Sequence, residues 1–478
     1  MESLAGPHEK QGTVTMDAIE NLLQFGLATR FDDLPAEVVE RSRLAILDTL
    51  GVSLAGIKGA DVAQLSNLVG GWGGTAQATA VSWPTRLPLP QAIFLNGVAA
   101  RAWDLDDVHE QNTCHINVNV VPVALAIAES RGPLDGRGLL AAVAAGAEVV
   151  CRLSSASRVS FSETGSSMSY QCGFYGAALV AARLLSLSEA QARHALGIAH
   201  ARMAGNQQGY LAGASTIRLM QGVAVEGGVL SALMAEQGLT GSADILDGRF
   251  GYYDLAHRGT YERADLVEGL GDSVWRSLEP SIKPPYPCCK YTHGPIEAAV
   301  AAAREFGKEE IERIVVRVTN REVHDLVCLA YERKWNPSSL SECQFSLPFT
   351  VAHAVVHGKV GLDSFTEAGR EDPQVRALLP RIEIDLDCAE QGTGRGRFPM
   401  PGIVTIEGKN GRRVRHTVEF VKGHPKNPMT FDDVAAKFRL CASLGLPGWD
   451  PEPVIDAIRR LEALSDTGAL MKACAPAR

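Results

Sequence analysis

The sequence predicts a mainly α-helical protein: a large all-helical domain, plus a smaller α+β lid domain inserted before the C-terminal helices. Apolar residues recur at helical spacing in one segment after another between residues 17 and 274. After a proline-rich stretch at residues 281–294, the spacing changes to the alternation that is typical of strands. A chain of 478 residues also exceeds what one hydrophobic core usually holds, so two domains are expected.

The all-helical domain is predicted over residues 16–276, after a polar segment at residues 1–15 that we expect to be disordered. Pro35 suits the first position of a helix, where a backbone N–H would have no helical partner. The segment at 138–154 is almost wholly apolar and rich in alanine, which predicts a helix buried on all sides. Apolar spacing predicts helices at residues 37–54, 89–103, 118–129, 138–154, 173–185, 189–203 and 220–236.

The α+β lid domain is predicted over residues 277–425, and the helices of residues 426–478 are expected to pack back on the helical domain. The segment I-E-R-I-V-V-R-V-T at 311–319 alternates apolar and polar residues, as a strand with one wet face does. Gly408 to Gly411 supply a hairpin turn. Further strands are predicted at 382–386, 402–407 and 414–420, and helices at 294–306, 345–356, 431–446 and 453–464.

Composition excludes several classes of partner. The net charge of −9 argues against a nucleic-acid surface, although a small anionic substrate needs only a few local lysines. The ten cysteines have no regular spacing and no apolar leader precedes Met16, so we expect reduced thiols in a cytoplasmic protein. The longest apolar stretches, such as 139–150, are too short to cross a membrane. No glycine-rich segment fits a dinucleotide or phosphate loop, so no organic cofactor is expected.

The connector at residues 281–294 reads S-I-K-P-P-Y-P-C-C-K-Y-T-H-G and joins the two predicted domains. Proline fixes φ and disfavours helix in the residue before it, so this segment should be stiff and irregular. Rigid loops that carry reactive side chains are common places for a functional site. We therefore expect Lys283 to lie in a cleft between the domains. The alternative is a well-packed linker whose lysines are solvated.

An acidic segment, Asp104-Leu-Asp106-Asp107, precedes His115 and lies between two predicted helices. Three carboxylates so close together cannot all ionise cheaply unless they are solvated or paired, so at least one pKa should be raised. A carboxylate could orient His115 for proton transfer. The alternative is helix capping by solvated acids, and one histidine beside adjacent aspartates is weak spacing for a metal site.

Two further patterns are more typical of residues with a structural role than of a metal site or a catalytic nucleophile. His353 and His357 are one helical turn apart, but the glutamate of the H-E-x-x-H zinc motif is absent, so packing or surface histidines are expected. The pair Cys288-Cys289 precedes His293, yet nothing in the sequence supplies an activated thiolate or an oxyanion hole. Buried thiols are the favoured interpretation.

Several segments together resemble the MmgE/PrpD family, which contains 2-methylcitrate dehydratase, cis-aconitate decarboxylase and iminodisuccinate epimerase. They span most of the chain in the family's order. The matching segments are I-L-D-T-L-G-V-S-L-A-G at 46–56, F-L-N-G-V-A-A-R-A-W-D-L-D-D at 94–107, H-I-N-V-N-V-V-P-V-A-L-A at 115–126, C-G-F-Y-G-A-A at 172–178, the connector at 281–294, F-S-L-P-F-T-V-A-H-A-V-V-H-G at 345–358 and G-H-P-K-N-P-M-T at 423–430.

The resemblance implies a helical domain, an α+β lid, a cleft between them, a homodimer, and neither a cofactor nor a metal. Family members move a proton next to a carboxylate of a small acid, then lose water or carbon dioxide or invert a centre. Asp104, His115 and Lys283 match the family's site motifs. The resemblance gives Lys283 a role on substrate charge or as a base, and His115 a proton-transfer role supported by the carboxylate of Asp104 or Asp107.

The sequence also departs from the family's pattern. Ser167 stands where a histidine is expected, and Ile217 and Met220 replace a lysine and a histidine. Losing a cation beside a buried carboxylate is costly, so either the substrate differs from tricarboxylates, or Arg218 and Tyr170 compensate. Tyr170 and Lys283 are then candidates for a two-base pair. The remaining candidates for substrate binding are Asp107, Arg218, Ser167, Gln171 and Cys289.

The expected function is a cofactor-independent lyase, a dehydratase that takes a proton next to a carboxylate of a small hydroxy-acid. The first alternative is an isomerase or epimerase that uses Tyr170 and Lys283. The second alternative is a non-catalytic binding protein on the same fold, since a histidine and a lysine of the family's site are missing.

Overall fold

The computed structural model describes residues 16–59, 61–159, 161–388 and 401–475. The segment 1–15, for which the sequence predicts disorder, lies outside the described residues. The predicted fold class is confirmed: the protein is mainly α-helical and carries one small sheet near its C-terminal end.

The helical part begins with thirteen helices that follow one another without a strand between them in the described residues. They are α1 Ala18–Ala28, α2 Ala36–Gly56, α3 Val62–Gly70, α4 Leu89–Arg101, α5 Val121–Arg131, α6 Gly136–Ala156, α7 Phe161–Thr164, α8 Met168–Leu184, α9 Glu189–Arg202, α10 Gln208–Ala212, α11 Thr216–Glu236, α12 Tyr252–His257 and α13 Ala264–Val267.

Small residues let the central helices approach closely. A Cβ added at Gly228 of α11 would lie 2.5 Å from the Cβ of Ala177 in α8, which is far inside van der Waals contact. Helix α6 starts after Asp135, whose side chain accepts a hydrogen bond from the backbone N–H of Gly138 at 2.7 Å. Nearly every residue of α6 is buried, as its alanine-rich sequence predicts.

The α+β part follows the connector. Its helices are α14 His293–Phe306, α15 Arg321–Val327, α16 Tyr331–Trp335, α17 Leu340–Gln344, α18 Leu347–His357, α19 Glu367–Arg370 and α20 Pro373–Leu378. Its strands are β1 Ile311–Val318, β2 Ile382–Leu386, β3 Gly402–Gly408 and β4 Arg413–Val418.

The four strands form one sheet in the order β2-β1-β3-β4. Strand β1 pairs in parallel with β2 and antiparallel with β3, and the predicted turn at Gly408 to Gly411 joins β3 to β4. Gly411 has a φ of 81°, which the tight turn requires and which glycine adopts without strain. Helix α14 packs on this sheet and shares a second hydrophobic core with it.

The chain then returns to the helical part through α21 Phe431–Gly445, α22 Glu452–Arg459 and α23 Gly468–Ala473. Helix α21 packs along α2, and its Phe438 is buried in the first hydrophobic core. Residues from both ends of the sequence therefore form one helical layer.

Four predicted helix ends differ from the structure by three residues or more. Helix α5 begins at Val121 instead of residue 118, α8 at Met168 instead of residue 173, and α11 at Thr216 instead of residue 220. Helix α22 stops at Arg459, and a short 3-10 turn at Leu461–Ala463 completes the segment that was predicted as helix. Apolar spacing shows which face of a helix is buried, and it does not determine the terminal residues.

Two helices are long and apolar enough to cross a membrane by length and composition, α6 and α11. The apolar window of α6 is wholly buried inside the protein, and 61% of the α11 window is buried. Core helices satisfy the same test, and both helices pack within the first core. A cytoplasmic location stays a prediction.

Candidate active site

A cleft lies between the helical part and the α+β part. Its floor comes from the end of α4 and the acidic segment that follows, and the connector forms the opposite side. The residues that line it are Arg101, Asp104, Val108, Glu110, Thr113, His115, Gln207, Tyr210, Lys283, Cys289, Lys290, Tyr291, Leu326 and Phe345.

The acidic segment and the connector are joined through their backbones. Val108 and Ser281 form an antiparallel bridge, with N–H to O distances of 3.0 and 2.8 Å. Asp104 has a φ of 54°, a left-handed conformation that is uncommon for any residue other than glycine. Strained backbone of this kind persists where the surrounding structure enforces it, which is frequent in functional sites.

Asp104 is held between two cations. Arg101 donates to its carboxylate, and the Nζ of Lys283 lies 3.2 Å from the same oxygen. Lys283 also donates to the backbone carbonyl of Asp104 at 2.7 Å. Burial alone would raise the pKa of Asp104, but the positive charges of Arg101 and Lys283 outweigh it and lower the pKa to about 2. The carboxylate is therefore ionised at neutral pH.

His115 is oriented by Asp106, not by the Asp104 or Asp107 carboxylate that was expected. Its Nδ1 lies 2.6 Å from Oδ2 of Asp106, whose other oxygen is 3.2 Å from Arg101. An ionised carboxylate only accepts hydrogen bonds, so Nδ1 carries the proton and Nε2 has a free lone pair. Burial and the charge of Arg101 lower the pKa of His115, against the opposing effect of Asp106. The neutral imidazole, with Nε2 at the cleft, is a suitable general base.

Asp107 points away from the cleft. Its two oxygens accept from the backbone N–H of Asn117 at 3.0 Å and from the side-chain amide of Asn117 at 2.8 Å. Burial, together with the nearby charge of Asp106, raises the pKa of Asp107 to about 7. This is the raised carboxyl pKa expected in the acidic segment, but the group does not line the cleft where substrate would bind.

Tyr170 lies behind the cleft wall. Its hydroxyl donates to the carbonyl of Ile217 at 2.6 Å and accepts from the hydroxyl of Tyr210 at 2.9 Å. Burial raises the pKa of Tyr170 well above its ordinary value. The two-base arrangement of Tyr170 with Lys283 is therefore not assembled, because Tyr210 separates Tyr170 from the cavity.

Arg218 joins the two parts of the molecule instead of lining the cleft. Its guanidinium donates to the carbonyl of Ala102 at 2.7 Å, to Oγ of Ser341 at 2.9 Å and to Oε1 of Gln344 at 2.7 Å. Arg218 belongs to α11, and both side-chain partners belong to α17 of the α+β part. These bonds use donors on all three guanidinium nitrogens, so Arg218 does not replace the missing lysine.

Of the other three candidates, Cys289 lines the cleft, whereas Ser167 and Gln171 do not. Ser167 is buried directly before α8, and the side-chain amide of Gln171 donates to the carbonyl of Gly205 at 3.2 Å. Cys289 does line the cleft, and burial raises the pKa of its thiol to about 12, so the thiol is neutral. Of the nine residues predicted for the site, Asp104, His115, Lys283 and Cys289 line this cavity.

Comparison with known proteins identifies the family. The MmgE/PrpD N-terminal domain matches residues 20–264, and the MmgE/PrpD C-terminal domain matches residues 286–461. The chain belongs to the MmgE/PrpD family. It is 28% identical to the cis-aconitate decarboxylase of Homo sapiens over 91% of this chain and 90% of that protein. It is 25% identical to the cis-aconitate decarboxylase of Aspergillus terreus over 92% of each chain.

A third relative is the cis-aconitate decarboxylase-like protein oryM of Aspergillus oryzae, 24% identical over 92% of this chain and 93% of that protein. The matches span nearly the whole length of each protein. Membership of the MmgE/PrpD family and these relatives support assignment to the lyases.

Sequence reasoning missed several residues of this MmgE/PrpD cleft. Arg101 is the charged residue that ends the apolar helix α4, and it lies inside a segment that carries the resemblance. A charged residue at that position could have indicated a residue of the site. Asp106 was part of the acidic segment, but no spacing distinguishes it from its neighbours. Tyr210 had no signal, since α10 is short. Lys290 lies in the connector and pairs with Glu110 at 3.2 Å.

Asp104, Asp106 and His115 offer ligand atoms within 4.8 Å of one another, as a metal site would. The guanidinium of Arg101, however, bonds both carboxylates, and the ammonium of Lys283 lies beside Asp104. A divalent ion there would have to displace or repel two cations, so the donor set fits a metal poorly.

The histidine pair of α18 has partners within the protein. The Nε2 of His353 lies 2.9 Å from the carbonyl oxygen of Gly369, and the Nε2 of His357 lies 3.0 Å from the carboxylate of Asp372.

Proposed function

We propose that this protein is a lyase that acts on a small carboxylic acid and begins by taking a proton from the carbon next to a carboxylate. One observation carries the proposal: a neutral His115, oriented by Asp106, lines a cleft that Arg101 and Lys283 also line. A base beside two cations suits this chemistry, because the negative charge that develops on the substrate is stabilised where it forms.

The substrate carboxylate would lie against Lys283 and Arg101. These two cations would then pair both with the substrate and with Asp104. His115 Nε2 then takes the α-proton, and the electron pair of the C–H bond moves toward the carboxylate. When a hydroxyl leaves the adjacent carbon, this pair forms the new C=C bond. The proton on Nε2 is given to the departing hydroxyl, so the products are an unsaturated acid and water. These steps use side chains of this chain alone.

Loss of carbon dioxide is the second candidate, because the three relatives described above carry the name cis-aconitate decarboxylase or cis-aconitate decarboxylase-like. The C–CO₂ bond would break instead, and its electron pair would shift through a neighbouring C=C bond. The carbon that receives the pair would take a proton from a protonated His115. The same cations would stabilise the charge in both reactions.

A panel of small hydroxy-acids and unsaturated acids, incubated in deuterium oxide, tests the proposal. We expect one acid to gain or lose a C=C bond, with solvent deuterium entering the carbon next to the carboxylate. Release of carbon dioxide, measured on the same samples, separates decarboxylation from dehydration. His115→Gln should lower turnover about 10²–10⁴-fold. Unchanged turnover in this variant would remove His115 from the mechanism.

The rate should depend on pH through His115. Because its pKa is lowered from the ordinary value of 6.5, the base stays neutral to below that pH, and kcat/KM should fall only under more acidic conditions. Asp106→Asn removes the carboxylate that raises this pKa, so the acid limb should move further down while kcat drops. Asp254→Asn, an exposed aspartate, is the matched control and should leave the profile unchanged.

A further inference from the structure

A second cavity, of about 980 Å³, adjoins the cleft. The two cavities meet at Gln207, Tyr210 and Leu326, which line both. Like the cleft, the second cavity lies between the two parts of the molecule: Leu211 comes from α10, and Leu329 and Ala330 come from the segment between α15 and α16. The two cavities are therefore neighbours, with Gln207, Tyr210 and Leu326 between them.

The second cavity presents mainly apolar surface. Leu211 is 61% exposed and Leu329 is 48% exposed, which is unusual for leucines that lie close together on a protein surface. Four charged side chains also line this cavity, and each has a partner in the protein: Asp325, Arg333, Lys334 and Glu342. Arg333 donates to the carbonyl of Leu211 at 3.3 Å, and Lys334 donates to the carbonyl of Phe345 at 2.7 Å. The surface that this cavity offers a ligand is therefore mainly apolar.

Glu342 at the edge of this cavity is occupied as well. Its carboxylate accepts from the backbone N–H groups of Ser338 and Ser339, at 2.9 and 3.2 Å, and so caps α17. The cavity thus offers an anionic molecule little electrostatic attraction, and it offers an apolar group a surface that water now covers.

The cleft itself has one polar side and one apolar side. Among the described residues, three cations line it, Arg101, Lys283 and Lys290, and they pair with Asp104 and Glu110 of the lining and with Asp106 buried behind it. Such a site has little surplus charge for a substrate with several carboxylates. Its apolar side includes Phe345, packed edge-on against Tyr210 at 5.1 Å between ring centroids.

We propose that the substrate is a carboxylic acid with an apolar substituent of several carbons, whose tail runs past Tyr210 and Leu326 into the second cavity. This inference rests on the proposed function, because it assumes that the carboxylate end binds beside Lys283. It also gives a role to the mainly apolar cavity that lies beside a cleft with charged groups. The acid and base groups act at one end of the molecule, and the tail decides which acid binds.

Calorimetric titration with two saturated acids that cannot lose water, 2-methylsuccinate and 2-hexylsuccinate, tests this inference. Burial of the five additional methylenes should make 2-hexylsuccinate bind at least about tenfold more tightly. Leu211→Glu should reduce its affinity to that of 2-methylsuccinate, since a charge would then face the tail. Leu255→Glu is the matched control: Leu255 is 60% exposed and lies on α12, so the preference for the hexyl chain should remain.

Equal affinity of the two acids for the unmodified protein overturns the inference but leaves the proposed function intact. Binding of 2-methylsuccinate that survives Lys283→Met overturns the assumed carboxylate position instead, and with it both proposals. Absence of binding by either acid also overturns both. If Leu211→Glu changes the oligomeric state in size-exclusion chromatography and the hexyl preference is absent, the apolar surface is a subunit contact and the inference fails.

Discussion

Asp107 is a buried carboxyl group whose main partner is an amide, and this makes its charge costly. Its pKa of about 7 is caused first by burial and then by the neighbouring charge of Asp106. In an unfolded chain the pKa returns to the ordinary value of 3.8. Between these two values the folded protein binds more protons than the unfolded chain, so stability falls as the pH rises through this window.

Replacing Asp107 with asparagine should therefore stabilise the protein at alkaline pH. The asparagine keeps an acceptor for the backbone N–H of Asn117. Its new amide takes the place of the oxygen that accepts from the Asn117 side chain, so that side-chain amide must flip, and its Oδ1, which has no partner among the described residues, then accepts from the new amide. We expect the advantage of Asp107→Asn in the free energy of unfolding to grow by about 1–3 kcal/mol between about pH 5 and about pH 8.5. Urea unfolding at both pH values measures it.

Asp244→Asn, which makes the same change at an exposed position, is the control for this measurement. If the advantage of Asp107→Asn is the same at both pH values, the pKa of Asp107 is not raised in the folded protein.

Which single residues meet at the cleft was only partly predictable from the sequence. Asp104 and His115 share one short segment, and the prolines after Lys283 marked the connector as rigid, but the resemblance to the MmgE/PrpD family was what placed these three in one site. Tyr210 is remote from them in sequence, and its position depends on tertiary packing that periodicity does not encode. Arg218 was expected to hold a substrate carboxylate, but three oxygen acceptors of the protein already occupy it.

At the scale of secondary structure, apolar periodicity predicted most of the long helices and all four strands to within a few residues, but it missed most of the short helices. The order of the strands was not predictable, because β1 pairs with β2 across more than sixty intervening residues. Pairing of that kind is decided by packing between distant segments, and no local pattern carries it. The first residues of α8 likewise contact a segment that is distant in sequence, since Ser169 donates to the carbonyl of Thr113.

The contact between α2 and α21 depends on Gly445, the last residue of α21. A Cβ added there would lie 1.9 Å from the carbonyl oxygen of Leu54 in α2, so the helices could not keep their present distance. We expect Gly445→Ala to reduce the free energy of unfolding by about 1–3 kcal/mol, as overpacking of a close contact does. Urea unfolding followed by circular dichroism measures the change.

Ser443→Ala is the matched control on the same helix. Ser443 is exposed, so this change should stay within about 0.5 kcal/mol of the unmodified protein. If Gly445→Ala is equally mild, the two helices have room to separate and the close contact does not limit stability.

At the scale of the whole molecule, the C-terminal helix α21 supports the candidate active site from behind. The Nζ of Lys437 donates to the carbonyl of Leu105 at 2.7 Å and to the carbonyl of Lys283 at 2.9 Å. It also pairs with Asp48 of α2 at 2.7 Å. One buried ammonium thus holds the acidic segment, the connector and two helices together, although these segments are far apart in sequence.

Lys437→Met should weaken both catalysis and stability. It removes the donor that fixes the backbone of Leu105 and Lys283, so the distance between Lys283 and Asp104 should vary and kcat should fall about tenfold to a hundredfold. It also leaves Asp48 as a buried carboxylate without its cation, which costs about 3–5 kcal/mol. Steady-state kinetics and urea unfolding measure the two effects separately.

A double variant separates these two effects. Adding Asp48→Asn to Lys437→Met removes the unpaired charge, so much of the lost stability should return. The carbonyls of Leu105 and Lys283 still lack their donor, so the low kcat should remain. Recovery of kcat together with stability would mean that Lys437 acts only through the stability of the fold. A kcat that stays low in the stable double variant identifies Lys437 as a positioning residue, which places part of the catalytic geometry under the control of the C-terminal segment.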